Sequence, residues 1–101
     1  MIDDSLLVQD DFAPHLGSSF TVTSIDGAEM PMTLVAVERG LRTDWAGQKR
    51  DAFTLIFHCA SDDVLPQGSY PFQHAGMGAL EIFIGPIKRV DDGVHYAASF
   101  N

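Results

Sequence analysis

The sequence predicts an all-β domain: a small antiparallel six-stranded meander closed into a barrel or folded into a two-layer sandwich, with a short N-terminal helix. Three observations predict it. The last third, from Gly68 to Asn101, is a succession of short apolar runs cut by Gly, Pro and Asp, the pattern of an antiparallel meander. Phe20-Thr-Val-Thr-Ser-Ile25 is β-branched, alternates, and runs into Asp26-Gly27, a turn dipeptide. Gly85-Pro86 interrupts an apolar run where a bulge would curl the sheet.

Each element follows from local chemistry. Asp10 to Leu16 reads as a short helix capped by Asp10 or Asp11 and stopped by Gly17, and Pro14 limits it to one or two turns because proline fits only the first turn. It is expected to plug one end of the sheet or to cover an edge. After the strand Phe20–Ile25 comes a strand from Met30 to Glu38. A two-residue hairpin would set Phe20 and Val22 against Thr33 and Pro31, wasting the apolar pattern. A shift by one sets Phe20 against Leu34 and Val22 against Met32, which predicts that register and a longer loop or bulge at the turn. Residues 39–50 are polar and aperiodic, and form the longest loop. Ala52 to Cys59 is a strand with Phe53, Leu55, Phe57 and Cys59 on one side and Ile56 on the other, so both faces are expected to be partly covered. Ile84 and Ile87 are an odd number apart, and a bulge at Gly85-Pro86 would let both point inward. The terminal run Val94 to Phe100 is expected to be a core strand.

The chain has 101 residues, enough for one domain spanning 1–101. Its 46% hydrophobic content is that of a globular chain. Fourteen acids against six bases give a net charge of −8, which argues against nucleic acid and against anionic membrane surfaces, since both call for a basic face. Lone Cys59 excludes an internal disulfide. Met1-Ile-Asp-Asp4 is acidic where a signal peptide is basic, and no apolar run approaches the ~18 residues of a membrane span, so a cytoplasmic protein is expected.

Several segments together resemble a known family. Asp11-Phe-Ala-Pro-His-Leu-Gly17 with Phe20-Thr-Val22, then Leu65-Pro-Gln-Gly-Ser-Tyr70, Leu80-Glu-Ile-Phe-Ile84 and Tyr96-Ala-Ala-Ser-Phe-Asn101, resemble a family of small bacterial single-domain proteins of unknown function. The resemblance covers nearly the whole chain and rests on turn residues and strand aromatics. It implies no catalytic residues.

Candidate chemistries are weak on their own terms. Gly17-Ser-Ser19 lacks Gly-x-Ser-x-Gly spacing and precedes a strand. His58 and Cys59 are neighbours on a strand, so they point to opposite faces and cannot act as a pair. The four histidines, His15, His58, His74 and His95, show no metal-ligand spacing, although a cross-strand cluster of His58, His74 and His95 is geometrically open. The acidic doublets Asp3-Asp4, Asp10-Asp11, Asp62-Asp63 and Asp91-Asp92 lack a calcium-loop pattern and suit turns and caps. Gly76 and Gly78 open no helix and carry no phosphate-loop lysine. No metal or cofactor is expected.

The segment that stands out is Arg39 to Arg50, with four of the six bases and the single Trp. Trp and Arg are enriched at binding hot spots, which makes Arg42, Trp45 and Arg50 candidate protein-contact residues. The sequence therefore reads as a non-enzymatic domain working through a protein partner or as a subunit of a homo-oligomer, in which an edge strand could pair with its symmetry mate. One alternative is a small barrel holding an apolar small molecule among Met32, Phe53, Phe57, Phe72, Phe83 and Tyr96. Another is an enzyme whose site assembles from residues far apart in sequence.

Overall fold

The computed structural model describes residues 9–39, 53–61 and 63–100. A helical turn α1 (Gln9–Phe12) runs into a 3-10 turn at Ala13–His15. Six strands follow: β1 (Ser19–Thr23), β2 (Glu29–Arg39), β3 (Phe53–Cys59), β4 (Gly68–His74), β5 (Gly78–Val90) and β6 (Gly93–Phe100). They close into an antiparallel barrel in the order β1-β2-β3-β6-β5-β4, with β4 paired back to β1. Barrel, not sandwich, is the architecture. Each half is a three-stranded meander. The connection from β3 to β4 spans strands that stand three apart around the wall, so it crosses the barrel mouth.

The interior is built by period-2 alternation. Phe20 and Val22 of β1, Phe53, Leu55, Phe57 and Cys59 of β3, Leu80, Ile82 and Ile84 of β5, and Val94, Tyr96, Ala98 and Phe100 of β6 are all buried. Phe20, Phe57 and Phe72 meet at the centre with ring centroids 5.2–6.3 Å apart, within the range of favourable aromatic pairs. No polar or charged residue is buried among the described residues.

Three local expectations are corrected. The β1–β2 register sets Phe20 against Met32 and Val22 against Met30, two residues from the expected pairing. The faces are as expected, because an even shift preserves them. The turn decides the register: Gly27 N–H bonds the Ser24 carbonyl at 3.0 Å and Ser24 N–H bonds the Ala28 carbonyl at 2.8 Å. Gly27 takes φ +86. This is a type I turn closed by a left-handed residue, which makes a three-residue loop. Second, the β5 bulge falls between Pro86 and Lys88, and Ile87 is its extra residue, so Ile87 points out and is 53% exposed. The odd-spacing argument is realised on β2 instead: a bulge between Leu34 and Ala36 leaves Val35 outside and returns Val37 to pack on the core. Third, Phe83 alternates with Ile82 and Ile84 and is exposed, so it lines no interior cavity.

The helical segment does plug one end. Phe12 is fully buried, 5.9 Å from the Phe53 ring and 5.7 Å from Phe100, whose own rings stack at 4.6 Å. Gly17 stops the segment at φ +86, and its N–H bonds the Leu34 carbonyl at 2.7 Å, where β1 begins. The other mouth is closed by the β3–β4 connection. Leu65 inserts there, and its N–H is bonded by the buried Tyr96 hydroxyl oxygen at 2.9 Å. No helix among the described residues is long and apolar enough to cross a membrane.

Candidate functional site

The wall is weakest where it closes. β1 and β4 share a two-pair register, Thr21 with Gln73 and Val22 with Phe72, whereas β4 and β5 run in register from Gly68–Ile84 to His74–Gly78. The next β4 residue beyond Phe72 is Pro71, which has no N–H to extend the ladder. Past this point the seam opens into a groove of about 230 Å³ lined by Ser24, Ile25, Asp26, Leu65, Pro66 and Tyr70.

Three polar side-chain atoms of the groove, Ser24 Oγ, Asp26 Oδ1 and the Tyr70 hydroxyl, bond within the chain. The Ser24 hydroxyl donates to Asp26 Oδ1, and Ala28 N–H bonds both Ser24 Oγ (3.1 Å) and Asp26 Oδ1 (3.4 Å). The Ser24 hydroxyl, then the Ala28 amide, hold the Asp26 carboxyl below the usual carboxylate range. The Tyr70 hydroxyl donates to the Pro66 carbonyl. The carbon that lines the groove comes from Pro66, from the buried Tyr70 at its floor and from Ile25, which is 84% exposed at the turn tip. A surface of this kind can receive an apolar side chain.

The histidines form two pairs and no triad. His58 and His95 are cross-strand partners on the outer face, with rings 5.2 Å apart at a right angle and Asp92 3.5 Å from His58 Nε2. Burial, then the His58 and Lys88 charges, pull His95 below the ordinary histidine value, and Asp92 opposes them. His74 is not with them. It lies at the helix-plugged end, 4.5 Å from the His15 ring and 4.3 Å from Phe20, with Ser18 Oγ 2.9 Å from its Nε2. No group of three or more metal-ligating side chains is present among the described residues.

The Ser18–His74 contact resembles a nucleophile and its base but is wired the other way. Gly76 N–H donates to His74 Nδ1 at 2.9 Å, so that nitrogen is the lone-pair acceptor and the neutral ring carries its proton on Nε2. Nε2–H therefore donates to Ser18, and the Ser18 hydroxyl donates onward to the His15 carbonyl at 2.6 Å. A histidine that donates to a serine cannot take its proton. Cys59 is buried, with its sulfur 3.8 Å from that of Met30, and sits on the face opposite His58.

Arg42, Trp45 and Arg50 lie outside the described residues. The strand ends that flank that segment, Arg39 and Phe53, pair with each other at the end Phe12 closes. Sequence reasoning missed the groove, because it joins residues 24–26 to 65–70 across the closing seam. It also missed the His15–His74 pair, although one signal was available: His74 shares the parity of the buried Tyr70 and Phe72 and so emerges at the end of the interior face.

The chain belongs to the family described as Domain of unknown function (DUF6916), which matches residues 7–100. No curated protein and no solved structure matches it.

Proposed function

We propose that this domain is a non-catalytic binding module that takes an apolar side chain of a partner protein into the groove beside Ile25. The observation that carries this reading is the contrast between a barrel filled by its own side chains and an open apolar groove whose rim bears the most exposed large hydrophobe of the described residues. The interior rings are in mutual contact, which speaks against the alternative of an apolar small molecule held inside the barrel. Closure shortens the unpaired edges on which an edge-to-edge dimer would depend, which favours contacts through side chains. Arg42, Trp45 and Arg50 are the sequence's own candidates for the same role.

Panning a random peptide library against the wild-type domain, then titrating the selected peptides on the wild type and on Ile25→Asp, tests the groove. Selected peptides are expected to share an apolar anchor and to bind the wild type at least about tenfold tighter, a loss of ~1.4 kcal/mol in the variant. Equal binding to both proteins overturns the reading. Light scattering across dilution then tells whether the occupant is a second copy of this chain or a different protein.

A further inference from the structure

The His15–His74 cluster is built so that one of its hydrogen bonds, the one accepted by His74 Nδ1, requires a neutral imidazole. Gly76 N–H donates to His74 Nδ1, His74 Nε2–H donates to Ser18 Oγ, and the Ser18 hydroxyl donates to the His15 carbonyl. The chain has one direction, and it ties three elements that share the helix-plugged end: the β4–β5 turn, the start of β1, and the 3-10 turn that follows Phe12. The cluster is tight as well as polar, since a Cβ at Gly76 would come within 3.0 Å of the His15 ring and 3.4 Å of the His74 ring.

We propose that His74 is a pH-operated latch: neutral, it holds the β4–β5 turn to the barrel end, and protonated on Nδ1, it releases that turn. A proton on Nδ1 faces the Gly76 N–H, donor against donor, so the bond that anchors the turn is lost. The groups that face His74 are the His15 ring from the 3-10 turn, the Ser18 hydroxyl just before β1, the Phe20 ring of β1, and the Gly76 amide from the β4–β5 turn. Among these His15 alone titrates, and it carries the same sign when charged. The Phe20 ring face favours a cation, but it contacts His74 whether or not the Gly76 bond is made, so it does not preserve the latch.

The sense of the pH effect follows from burial, which with His15 beside it holds His74 below the ordinary value of 6.5. Below that value the unfolded chain binds a proton that the folded chain refuses. The latch thus contributes its full stability above about 6.5, and that contribution is lost as the pH falls through the folded value.

Nitrogen-detected NMR on the wild-type protein tests this directly, with amide exchange followed from about pH 8 to about pH 5. The expected result is an Nε2–H tautomer for His74 at high pH. As His74 titrates, exchange at Gly76 should accelerate at least about tenfold beyond its intrinsic pH trend, while β3 and β6 interior amides keep their protection. His74→Gln should abolish the step; His95→Gln should leave it in place. An Nδ1–H tautomer at high pH overturns the proposal. So does Gly76 protection that persists through the His74 titration, or a step that survives in His74→Gln.

Discussion

The two mouths of this barrel are closed in different ways. At one, a separate helical segment folds over the opening and drives Phe12 between Phe53 and Phe100, and the closure is aromatic packing. At the other, the chain itself crosses from β3 to β4, and the closure is a buried hydrogen bond, Leu65 N–H to the Tyr96 oxygen, with Leu65 as the apolar stopper. Packing fills its end. A single crossing strand of chain cannot, and the seam beside it stays open as the groove next to Ile25. The comparison teaches that the barrel's interior is complete while its surface is not, and that the unfinished surface lies where two short strands fail to zip.

The largest expected effect is at the crossing-chain end. Gly93 sits at φ +152, and a Cβ there would overlap the Cys59 carbonyl oxygen and crowd Ala60. Gly93→Ala should cost about 3–5 kcal/mol, since overpacking against backbone and an unfavourable φ add. Urea unfolding measures it, and a loss under 1 kcal/mol would mean that the β3–β6 pairing is looser than described. Next comes the plug: Phe12→Ala removes a fully buried ring and should cost about 3 kcal/mol. If the same melt changes by less than half of that, the aromatic end is not what holds the barrel together.

A smaller effect separates the two closures by kind. Tyr96→Phe keeps the ring but orphans the Leu65 N–H, for a cost of about 1–3 kcal/mol. Burial, opposed in part by the Leu65 amide, raises the Tyr96 phenol above its ordinary value, so an alkaline absorbance titration should find this tyrosine ionising later than a solvent tyrosine. Ionisation together with a freely exposed tyrosine would place the Tyr96 hydroxyl in solvent. Smallest of all, Ile25→Asp should shift stability by no more than about 0.5 kcal/mol, because the side chain lies at an exposed turn tip. A larger loss would make Ile25 part of the fold and remove the contrast between filled interior and unfinished rim.

Much of the fold was legible because it is written in short-range patterns. Alternation located six strands and the inward faces of β1, β3 and β6, Asp10 to Gly17 located the helical segment, and Asp26-Gly27 located the first hairpin. The first register was misplaced by two because Ser24, not Ile25, opens the turn, and Ile25 became a loop tip instead of a strand end. The bulge on β5 was legible from Gly85-Pro86, but its consequence was not: Ile87 is the residue it expels. The candidate site was hardly legible, since Arg42, Trp45 and Arg50 carry a compositional signal only, and both the groove and the His74 latch join residues some forty or more positions apart.

The sequence by itself determined the β class, the strand count, the inward faces of β1, β3 and β6, the short helical segment and the acidic balance, because period, turn chemistry and charge are local properties. The tertiary structure alone decided the strand order, the crossing of the β3–β4 connection, the short β1–β4 seam with its groove, and the partners of His74. Those depend on which strands meet when the sheet closes, and closure is a property of the whole chain that no local pattern encodes.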